Sequence, residues 1–511
     1  VIVSTGTKTL QDQLFNRDIP TLRKALRVPV TVAVLKGRAN YVCHYHLDRQ
    51  LLDGRFANRD DAIHLKLLER YARTSKSGDR SGLSEVPEDA TIWPLVTSTR
   101  DNCLGGDCPR YKDCFVMEAR KQALAADVVV VNHHLFFADL MLRGEGITEL
   151  LPACNTVIFD EAHQLPETAT LFFGQSVSTA QLVELARDTR IEAAVGAKDF
   201  AALPDAAAAM ERAARDLRLT ISQEVGRQAA KAVDDRADFQ DALNTLSAKL
   251  GALTTLLEFQ ADRSEGLANC LRRGEELAQR IDQWREAAQG DTVRWIELFH
   301  TSLQLNATPL SIANIVRAQV DGDARAWIFT SATLSVNGDF AHYQADMGLE
   351  HAQAATWDSP FDYESHALLY VPERMPEPNS PGYTRAVVEA VLPAIGASRG
   401  RAFLLFTSLR AMREAHQLLQ DGFRLRGYDF PLLLQGEGPR SELLERFRRL
   451  GNAVLVASQS FWEGVDVRGE ALSLVMIDRL PFAPPDDPVL AARIDKMNAE
   501  GRNAFMQYQV P

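Results

Sequence analysis

The sequence lacks any long hydrophobic run. Its most apolar stretch, residues 128–131, passes at once into Asn132-His133-His134 and is far too short to cross a bilayer. Cysteine is scarce, with six residues in 511, and no basic segment precedes the apolar start at Val1 as a secretory signal would require. These absences argue against a membrane span and a disulfide-stapled secreted domain, so we expect a reducing compartment.

An excess of positive charge is also missing. The formal net charge is −12, which gives no support to bulk electrostatic attraction for nucleic acid. A nucleic-acid-binding protein of this composition must gather its Lys and Arg into a local track. The content of 46% hydrophobic and 24% charged residues is that of an ordinary globular protein, and the length predicts two to four domains.

Apolar, β-branched segments alternate with amphipathic helices in two parts of the chain, and this pattern predicts two parallel sheets. Predicted strands of the first sheet lie at 1–4, 30–35, 128–131, 157–159 and 327–330, and those of the second at 367–371, 402–406, 431–434, 453–457 and 472–477. The fold class is therefore α/β. Two similar sheets in one chain, one of them carrying Asp160-Glu161-Ala162-His163, suggest paired nucleotide-motor domains.

Two regions interrupt the first domain. Residues 40–115 are short helical pieces with three crowded cysteines, and 170–305 are rich in Ala, Leu and charge, which predicts long packed helices without strands. The predicted division is therefore a first motor domain in 1–39, 116–169 and 306–335, inserts at 40–115 and 170–305, and a second motor domain in 336–511.

The segment 157–163 is central to the functional interpretation. Three apolar residues lead into Asp160 and Glu161, as in a buried parallel strand that ends at the sheet edge where α/β proteins bind ligands. Asp160 is a candidate Mg²⁺ ligand, Glu161 a candidate for orienting the water that attacks a γ-phosphate, and His163 a candidate sensor of that phosphate. Taken alone, the segment also fits a strand that ends in a solvated acidic pair.

Two later segments are candidates for coupling nucleotide state to movement. Ser331 and Thr333 follow a predicted strand, and their hydroxyls are expected at the same sheet edge as Asp160; a simple helix cap is the alternative. Gly464 permits close backbone approach to a phosphate or ribose, and Asp466 is a candidate partner of a ribose hydroxyl. A plain turn explains that second segment equally well.

Four of the six cysteines suggest a metal centre. Cys103, Cys108 and Cys114 occupy one short loop, and Cys43 begins the same insert. Four thiolates suit an iron–sulphur cluster or tetrahedral zinc, and the spacing matches neither zinc ribbons nor ferredoxins. His44 and His46 beside Cys43 keep a mixed zinc site open, and four unrelated thiols are the remaining alternative.

A basic and aromatic character marks the same region. Lys36 and Arg38 precede the cysteines, with tyrosines interleaved, as single-stranded nucleic acid requires. Asn132 and His133 follow a predicted strand and are candidates for touching a nucleic-acid backbone. A solvated charged face, or a helix cap for Asn132, is the alternative.

Taken together, these motifs resemble those of the XPD-like iron–sulphur helicases of superfamily 2, and within them the bacterial DinG/YoaA type. The resemblance spans nearly the whole chain in the family's order. It rests on Val3-Ser4-Thr5-Gly6-Thr7 with Leu10-Gln11-Asp12-Gln13-Leu14, Leu35-Lys36-Gly37-Arg38-Ala39-Asn40-Tyr41-Val42-Cys43, the cysteine loop, Val131-Asn132-His133-His134-Leu135, Asp160-Glu161-Ala162-His163, Thr330-Ser331-Ala332-Thr333-Leu334, Trp357-Asp358-Ser359-Pro360-Phe361, Leu405-Phe406-Thr407-Ser408, Phe461-Trp462-Glu463-Gly464-Val465-Asp466 and Leu480-Pro481-Phe482.

The resemblance implies two RecA-like motor domains, an iron–sulphur domain at 40–115 and a helical arch at 170–305. It implies a [4Fe–4S] cluster on the four cysteines, and ATP- and Mg²⁺-dependent 5′→3′ unwinding of DNA in repair or replication, with the cluster domain splitting the duplex. Contacts with single-stranded or forked DNA are implied for Thr5, Lys36, Arg38, Asn132, His133, Ser408, Phe461 and Trp462.

The resemblance further implies a monomeric motor in the bacterial cytoplasm, with no membrane association and a replisome clamp-loader subunit as a partner. The phosphate-binding Gly-x4-Gly-Lys-Ser/Thr motif is absent, and the chain contains no Gly-Lys pair. The family's arginine-finger signature is absent too, and such an arginine is worth about 10³–10⁵ in rate. We therefore expect a fragment with little ATPase activity alone. The rival interpretations are a non-catalytic, cluster-bearing DNA-binding protein and the helicase part of a nuclease–helicase.

Overall fold

The computed structural model describes residues 1–511 apart from 54–58, 84, 89, 145–149, 223–224, 288–290, 323, 439, 459–460, 463–464, 466, 468, 481–486, 502–503 and 505–511. The chain divides into two units. The first comprises Val1–Ala354 and Ala483–Pro511, and the second comprises Ala355–Phe482. This division differs from the predicted one, in which the second domain covers all of 336–511.

The strands follow one another in the chain as β1 Ile2–Thr5, β2 Val32–Val34, β3 Val128–Asn132, β4 Thr156–Asp160, β5 Gln175–Ser178, β6 Gly226–Ala229, β7 Thr292–Leu298, β8 Leu303–Pro309, β9 Ala326–Thr330, β10 Ala402–Phe406, β11 Leu432–Leu434, β12 Val454–Ser458 and β13 Leu474–Ile477.

The α-helices are α1 Lys8–Gln13, α2 Ile19–Leu26, α3 His44–Asp53, α4 Arg59–Thr74, α5 Trp93–Val96, α6 Phe115–Ala125, α7 His133–Gly144, α8 Leu165–Phe173, α9 Thr179–Gly196, α10 Ala202–Leu219, α11 Lys231–Asp234, α12 Ala237–Glu258, α13 Glu265–Glu286, α14 Ala313–Asp321, α15 Ala341–Met347, α16 Tyr363–His366, α17 Tyr383–Ser398, α18 Leu409–Arg426, α19 Arg440–Leu450 and α20 Pro488–Ala499. A π-helical turn, Leu14–Asp18, joins α1 to α2. Single 3₁₀ turns lie at Arg38–Asn40, Arg80–Gly82, Gly105–Asp107, Tyr111–Asp113, Ala162–Gln164, Ala261–Arg263 and Gly469–Ala471.

The first unit contains a parallel sheet of order β2-β3-β1-β4-β9. Its central strands are nearly continuous apolar runs because helices cover both faces, and Val129, Val131 and Val157 are buried. The register pairs Ser4 with Val131 on one side and with Phe159 on the other. Strand β1 therefore delivers the start of the Thr-Gly-Thr turn beside the end of β4.

Residues 40–115 form a small separate core of α3, α4 and α5, with a buried centre that includes Leu68, Ile92 and Trp93. Residues 173–309 contain the large helices α9, α10, α12 and α13. The heptad-like leucines of α12 lie on one buried face, which agrees with the amphipathic pattern. We call residues 173–309 the helical insert.

The helical insert also contains an antiparallel sheet of order β5-β8-β7-β6, so the prediction that 170–305 lacks strands is wrong. The hairpin β7–β8 pairs Thr292 with Pro309 and Leu298 with Leu303. Trp295 and Ile296 within β7 are buried, because the sheet packs against the insert helices. The aromatic and β-branched content of 292–298 was the available signal, and it was outweighed by the surrounding helical composition.

The second unit contains the parallel sheet β11-β12-β10-β13 with α17 and α18 packed against it. Four of its five predicted strands form. The predicted strand at 367–371 does not form. Its residues are extended but unpaired, and Leu368 is 93% exposed. High β-propensity does not suffice where no sheet edge offers hydrogen bonds. No helix among the described residues has the length and apolarity to span a membrane.

Candidate functional site

The carboxyl edge of the first sheet brings together Thr5 and Asp160. These residues end the neighbouring strands β1 and β4, and the Thr5 hydroxyl donates to Asp160 Oδ2 at 2.9 Å. Thr5 is fully buried, whereas Asp160 is half-buried. The hydroxyl therefore fixes the carboxylate orientation and leaves its other oxygen available to a cation shell.

Glu161 directly follows the strand in an unusual backbone conformation. Its φ of 55° and ψ of 44° lie in the left-handed region, which is uncommon for a non-glycine residue. This conformation turns the chain sharply into the 3₁₀ turn Ala162–Gln164. It aims Glu161 along the sheet edge, where its Oε2 lies 3.4 Å from His163 Nδ1.

His163 links the acidic pair to the end of strand β9. Its Nδ1 lies 2.9 Å from Ser331 Oγ, and Ser331 Oγ lies 3.4 Å from Thr333 Oγ1. The sequence placed these three residues at one sheet edge, and the structure brings them into contact. Glu161, His163, Ser331 and Thr333 therefore form one continuous polar row, which begins one residue after Asp160.

An aromatic layer supports this row from below. Phe159 stacks on Trp327 at 6.1 Å and on Phe329 at 5.0 Å between ring centroids, and Phe136 meets Phe159 edge-on at 4.9 Å. These rings pack β4 against β9. The distance between the acidic pair and Ser331 is consequently held by a rigid apolar base rather than by the polar contacts alone.

We expect Ser331→Ala to reduce unwinding more than ATP turnover, because it removes the contact that joins His163 to the end of β9. The loss of one hydrogen bond, about 0.5–1.5 kcal/mol, corresponds to roughly a 2–10-fold fall in coupling. The measurement is base pairs unwound per ATP hydrolysed. Ser311→Ala, which removes a hydroxyl that only caps Ala313, is the control. Equal losses in both rates for Ser331→Ala would contradict a coupling role.

Three of the predicted DNA contacts are buried side chains, and we do not place them on a DNA surface. Thr5 orients Asp160 as described. Lys36 is 5% exposed and forms ion pairs with Asp12 at 2.8 Å and Asp79 at 2.9 Å, so its charge is balanced inside the protein. Its role is to tie the first residues after β2 to α1 and to the cysteine-bearing insert.

His133 is the third of these buried residues. Its Nδ1 lies 2.8 Å from Ser4 Oγ, and burial lowers its pKa to about 4. The ring is therefore neutral at physiological pH, and it packs behind the acidic strand end. The prediction overlooked that the first residue of a helix after a central strand points into the sheet.

The remaining predicted DNA residues have mixed surroundings. Asn132 caps α7, with its Oδ1 accepting from Leu135 N at 2.9 Å, and exposed Ser408 caps α18 in the same way. Phe461 is buried beneath the Arg440 guanidinium. Trp462 is half-buried. Gly464 and Asp466 lie outside the described residues.

The four predicted cysteine ligands lie around one open cavity of about 770 Å³, which we call the cysteine cavity. Burial raises the pKa of the Cys43 thiol to about 12 and also raises that of Cys108. Arg38 contributes directly, because its guanidinium donates to Cys103 Sγ at 3.2 Å. This contact places a positive charge beside one of the four sulphurs.

The four thiols share a cavity but do not form a compact ligand set. Among the described residues, no three His, Cys, Asp or Glu side chains converge as ligands of a metal ion. Four thiol donors suit an iron–sulphur cluster or zinc, and both stay predictions. His44, from the zinc alternative, packs its ring on Phe115 at 4.7 Å.

Several residues that position the sites were not singled out in the sequence. Gln11 is buried, and its Nε2 donates to Leu35 O at 2.8 Å and to Val130 O at 3.1 Å, fixing α1 to two strands. Gly6 has the Gln164 side chain where a Cβ would stand, with Oε1 at 1.9 Å. Both belong to motifs that carry the family resemblance, which was the signal available.

Asp478 has a comparable role in the second unit. Its Oδ1 accepts from Thr407 N at 3.0 Å, and its backbone oxygen accepts from the Tyr383 hydroxyl at 2.5 Å. Burial raises the pKa of this carboxyl. It joins the turn before α18 to the end of β13, although its sequence motif indicated no particular chemistry.

Comparison with known proteins identifies related chains. A family model described as "Helicase C-terminal domain" matches residues 391–511. The chain is 43% identical over 511 residues to ATP-dependent DNA helicase YoaA of Escherichia coli (strain K12), covering 100% of this chain and 80% of that protein. Identity to the Haemophilus influenzae protein of the same name is 40%, with 100% and 79% coverage. ATP-dependent helicase DinG of Mycobacterium tuberculosis is 32% identical, with 99% and 78% coverage.

Among solved structures, "Structure of S. tokodaii Xpd4" is similar at 11% identity and a TM-score of 0.43, covering 100% of this chain and 86% of that one. A likeness of that size carries no argument. The relatives of 32–43% identity, each matched over more than three quarters of its length, show that the protein is a helicase. More narrowly, the chain belongs to the DinG/YoaA family of ATP-dependent DNA helicases. The family resemblance and the α/β fold predicted from the sequence are thereby confirmed.

Proposed function

We propose that this protein uses ATP to translocate 5′→3′ along single-stranded DNA and that a [4Fe–4S] domain splits the duplex ahead of the motor during DNA repair or replication. Asp160 is the proposed ligand of the nucleotide's Mg²⁺, and Glu161 orients the attacking water. His163 and Ser331 relay the state of the γ-phosphate to β9. Support comes from the continuous polar row and from the family to which the chain belongs.

The proposed DNA path is a second cavity of about 860 Å³, which adjoins the cysteine cavity. We call it the basic cavity. Its cations come from three separate parts of the first unit: Arg38 after β2, Arg100 from the cysteine-bearing insert, and Arg280 from α13. Phe172 of α8 supplies an aromatic face beside them. Cations and an aromatic platform around one passage suit single-stranded nucleic acid and explain how a chain of net charge −12 binds it.

The cysteine cavity is the proposed site of the cluster. Cys43, Cys103, Cys108 and Cys114 would hold it, and Arg38 lines both cavities. When bound, the cluster would supply a rigid cross-link within this insert rather than a reaction step. The cysteine-bearing insert, which is proposed to split the duplex and which the cluster would stiffen, would lie beside the basic cavity. A clamp-loader subunit as a partner stays a prediction from the family resemblance.

The deciding experiment is an unwinding assay on the full-length protein, because we expect residues 1–511 alone to have little ATPase activity. The substrates are duplexes that carry a 5′ or a 3′ single-stranded tail, in ATP and Mg²⁺. We expect unwinding of the 5′-tailed duplex and of forks, and none of the 3′-tailed duplex. Arg280→Gln should lower single-stranded DNA affinity and reduce the slope of log affinity against log salt by about 0.7, the value for one phosphate contact. Arg212→Gln, on the exposed face of α10, is the matched control.

Unwinding from a 3′ tail would overturn the proposed polarity. If Arg280→Gln leaves the slope of log affinity against log salt unchanged, the basic cavity is not the DNA path. The proposal that the protein is an ATP-driven motor would not be affected by that result. Absence of ATP-dependent unwinding from every substrate would overturn the function itself.

A further inference from the structure

The helical insert contacts the cysteine-bearing segment through one polar row on α9. Gln181, Glu184, Asp188 and Glu192 are spaced three or four residues apart and therefore lie along one face of that helix. Acidic groups on a largely covered helix face require partners, because desolvated charges are costly when unpaired. Their partners come from α13 and from residues next to two of the cysteines.

Glu192 holds the segment that follows Cys43. Its carboxylate accepts from the Tyr45 hydroxyl at 2.9 Å and forms an ion pair with Arg49. The side chain of Glu192 is only 9% exposed. Gly266 on α13 makes room for it, because a Cβ there would meet Glu192 Oε2 at 2.0 Å. Glu192 therefore fixes the first turn of α3, which begins one residue after Cys43.

Glu184 holds the segment that precedes Cys103. Its Oε1 accepts from Asn102 Nδ2 at 2.9 Å, and Asn102 Oδ1 in turn accepts from Thr99 N at 2.7 Å. Asn102 is buried. Arg272 on α13 adds a hydrogen bond to Asp101 O at 2.8 Å. The loop just before Cys103 is thus tied to two helices of the insert.

Arg273 of α13 is the partner of two of these carboxylates within the helical insert. This residue is 4% exposed, and its guanidinium pairs with Asp188 at 2.5 Å and faces Glu184 at 3.8 Å. Cys108 and Cys114 have no such support in the contacts described. Their neighbour Arg110 pairs instead with Asp48 and Asp113 of the same insert. Two cysteines are therefore held from outside their segment and two from within it.

We infer that Glu184 and Glu192 are positioning residues, through which the helical insert sets the placement of Cys103 and Cys43. This inference rests on the proposed cluster site and deepens it. Residues behind metal ligands orient them, and their loss typically lowers metal retention by roughly 10–100-fold. A cluster held this way would connect directly to the helices that line the basic cavity.

The experiment compares Glu184→Ala and Glu192→Ala with Glu211→Ala. Glu211 is the matched control because its carboxylate pairs with Arg190 and Arg215 inside the insert, without a contact to the cysteine segment. We expect the first two variants to lose iron to a chelator roughly tenfold faster than the wild type or the control. Glu184→Gln, which keeps an acceptor for Asn102, should restore the wild-type rate.

A second readout needs no cluster. In metal-free protein, thiol alkylation followed by mass spectrometry should show faster labelling of Cys103 in Glu184→Ala and of Cys43 in Glu192→Ala, with Cys108 and Cys114 as internal references. A wild-type protein without iron would defeat the proposed cluster, while the alkylation pattern would still decide the inference. Uniform labelling changes at all four cysteines, or equal iron loss in Glu211→Ala, would overturn it.

Discussion

Glu161→Gln should abolish most ATP hydrolysis while leaving nucleotide and DNA binding intact. The amide keeps the size of the side chain and its place beside His163, but it cannot take a proton from the attacking water. Removing a positioned acid–base group typically costs about 10²–10⁴-fold in rate. The substitution replaces one non-glycine residue by another at the left-handed backbone position (φ 55°), so it tests the chemistry of the carboxylate alone. DNA-stimulated phosphate release by the intact enzyme is the measurement.

Glu167→Gln is the matched control for that prediction. Glu167 lies six residues further on, at the exposed start of α8, and its replacement removes the same charge from the same region. It should retain wild-type turnover. Turnover above a tenth of the wild-type value in Glu161→Gln would exclude Glu161 as the residue that activates water. A parallel loss of nucleotide binding would instead assign Glu161 to binding.

Cys108→Ser should remove the proposed cluster. We expect the wild-type protein, purified without oxygen, to be brown and to contain about four iron and four sulphide ions per chain, and the variant to contain almost none. Unwinding should fall with the iron content because the cysteine-bearing insert loses its internal cross-link. The parallel sheets should persist, since their cores do not include residues of this insert.

The control for this second prediction is Cys154→Ser. Cys154 lies before β4, contacts the Arg325 guanidinium at 3.5 Å, and is not part of the cysteine cavity. Its variant should keep full iron content. A colourless, zinc-containing wild type would contradict the cluster. Iron retention in Cys108→Ser would contradict the ligand assignment.

The structure places several candidate site residues where the strand pattern predicted them, and their roles stay predictions. Asp160, Ser331 and Thr333 each follow an apolar strand, and parallel strands place their carboxyl ends at one edge. His163 contacts Glu161 and Ser331 at this edge, and its role as a γ-phosphate sensor stays a prediction. The cysteine set also lies around one cavity, although sequence spacing alone left cluster, zinc and unrelated thiols as alternatives.

The prediction failed where a residue's role depends on which groups surround it. Lys36 belongs to a basic motif, yet Asp12 and Asp79 approach it from two different parts of the chain. No local sequence pattern predicts that these two carboxylates contact Lys36. Likewise, the apolar run at 367–371 has the composition of a strand but lacks a described ladder partner, while 292–298 found one in β8.

The sequence by itself determined the α/β class and the position of the acidic strand end. Hydrophobic periodicity and the residue types at strand ends are local features of the sequence, so they can be recognised without knowledge of the fold. Only the tertiary structure decided which charged side chains are buried. It also decided which side chains orient others through hydrogen bonds, as Thr5 does for Asp160 and Glu184 does for Asn102. Burial and pairing arise between segments that are distant in sequence, because desolvation depends on every neighbour of a group.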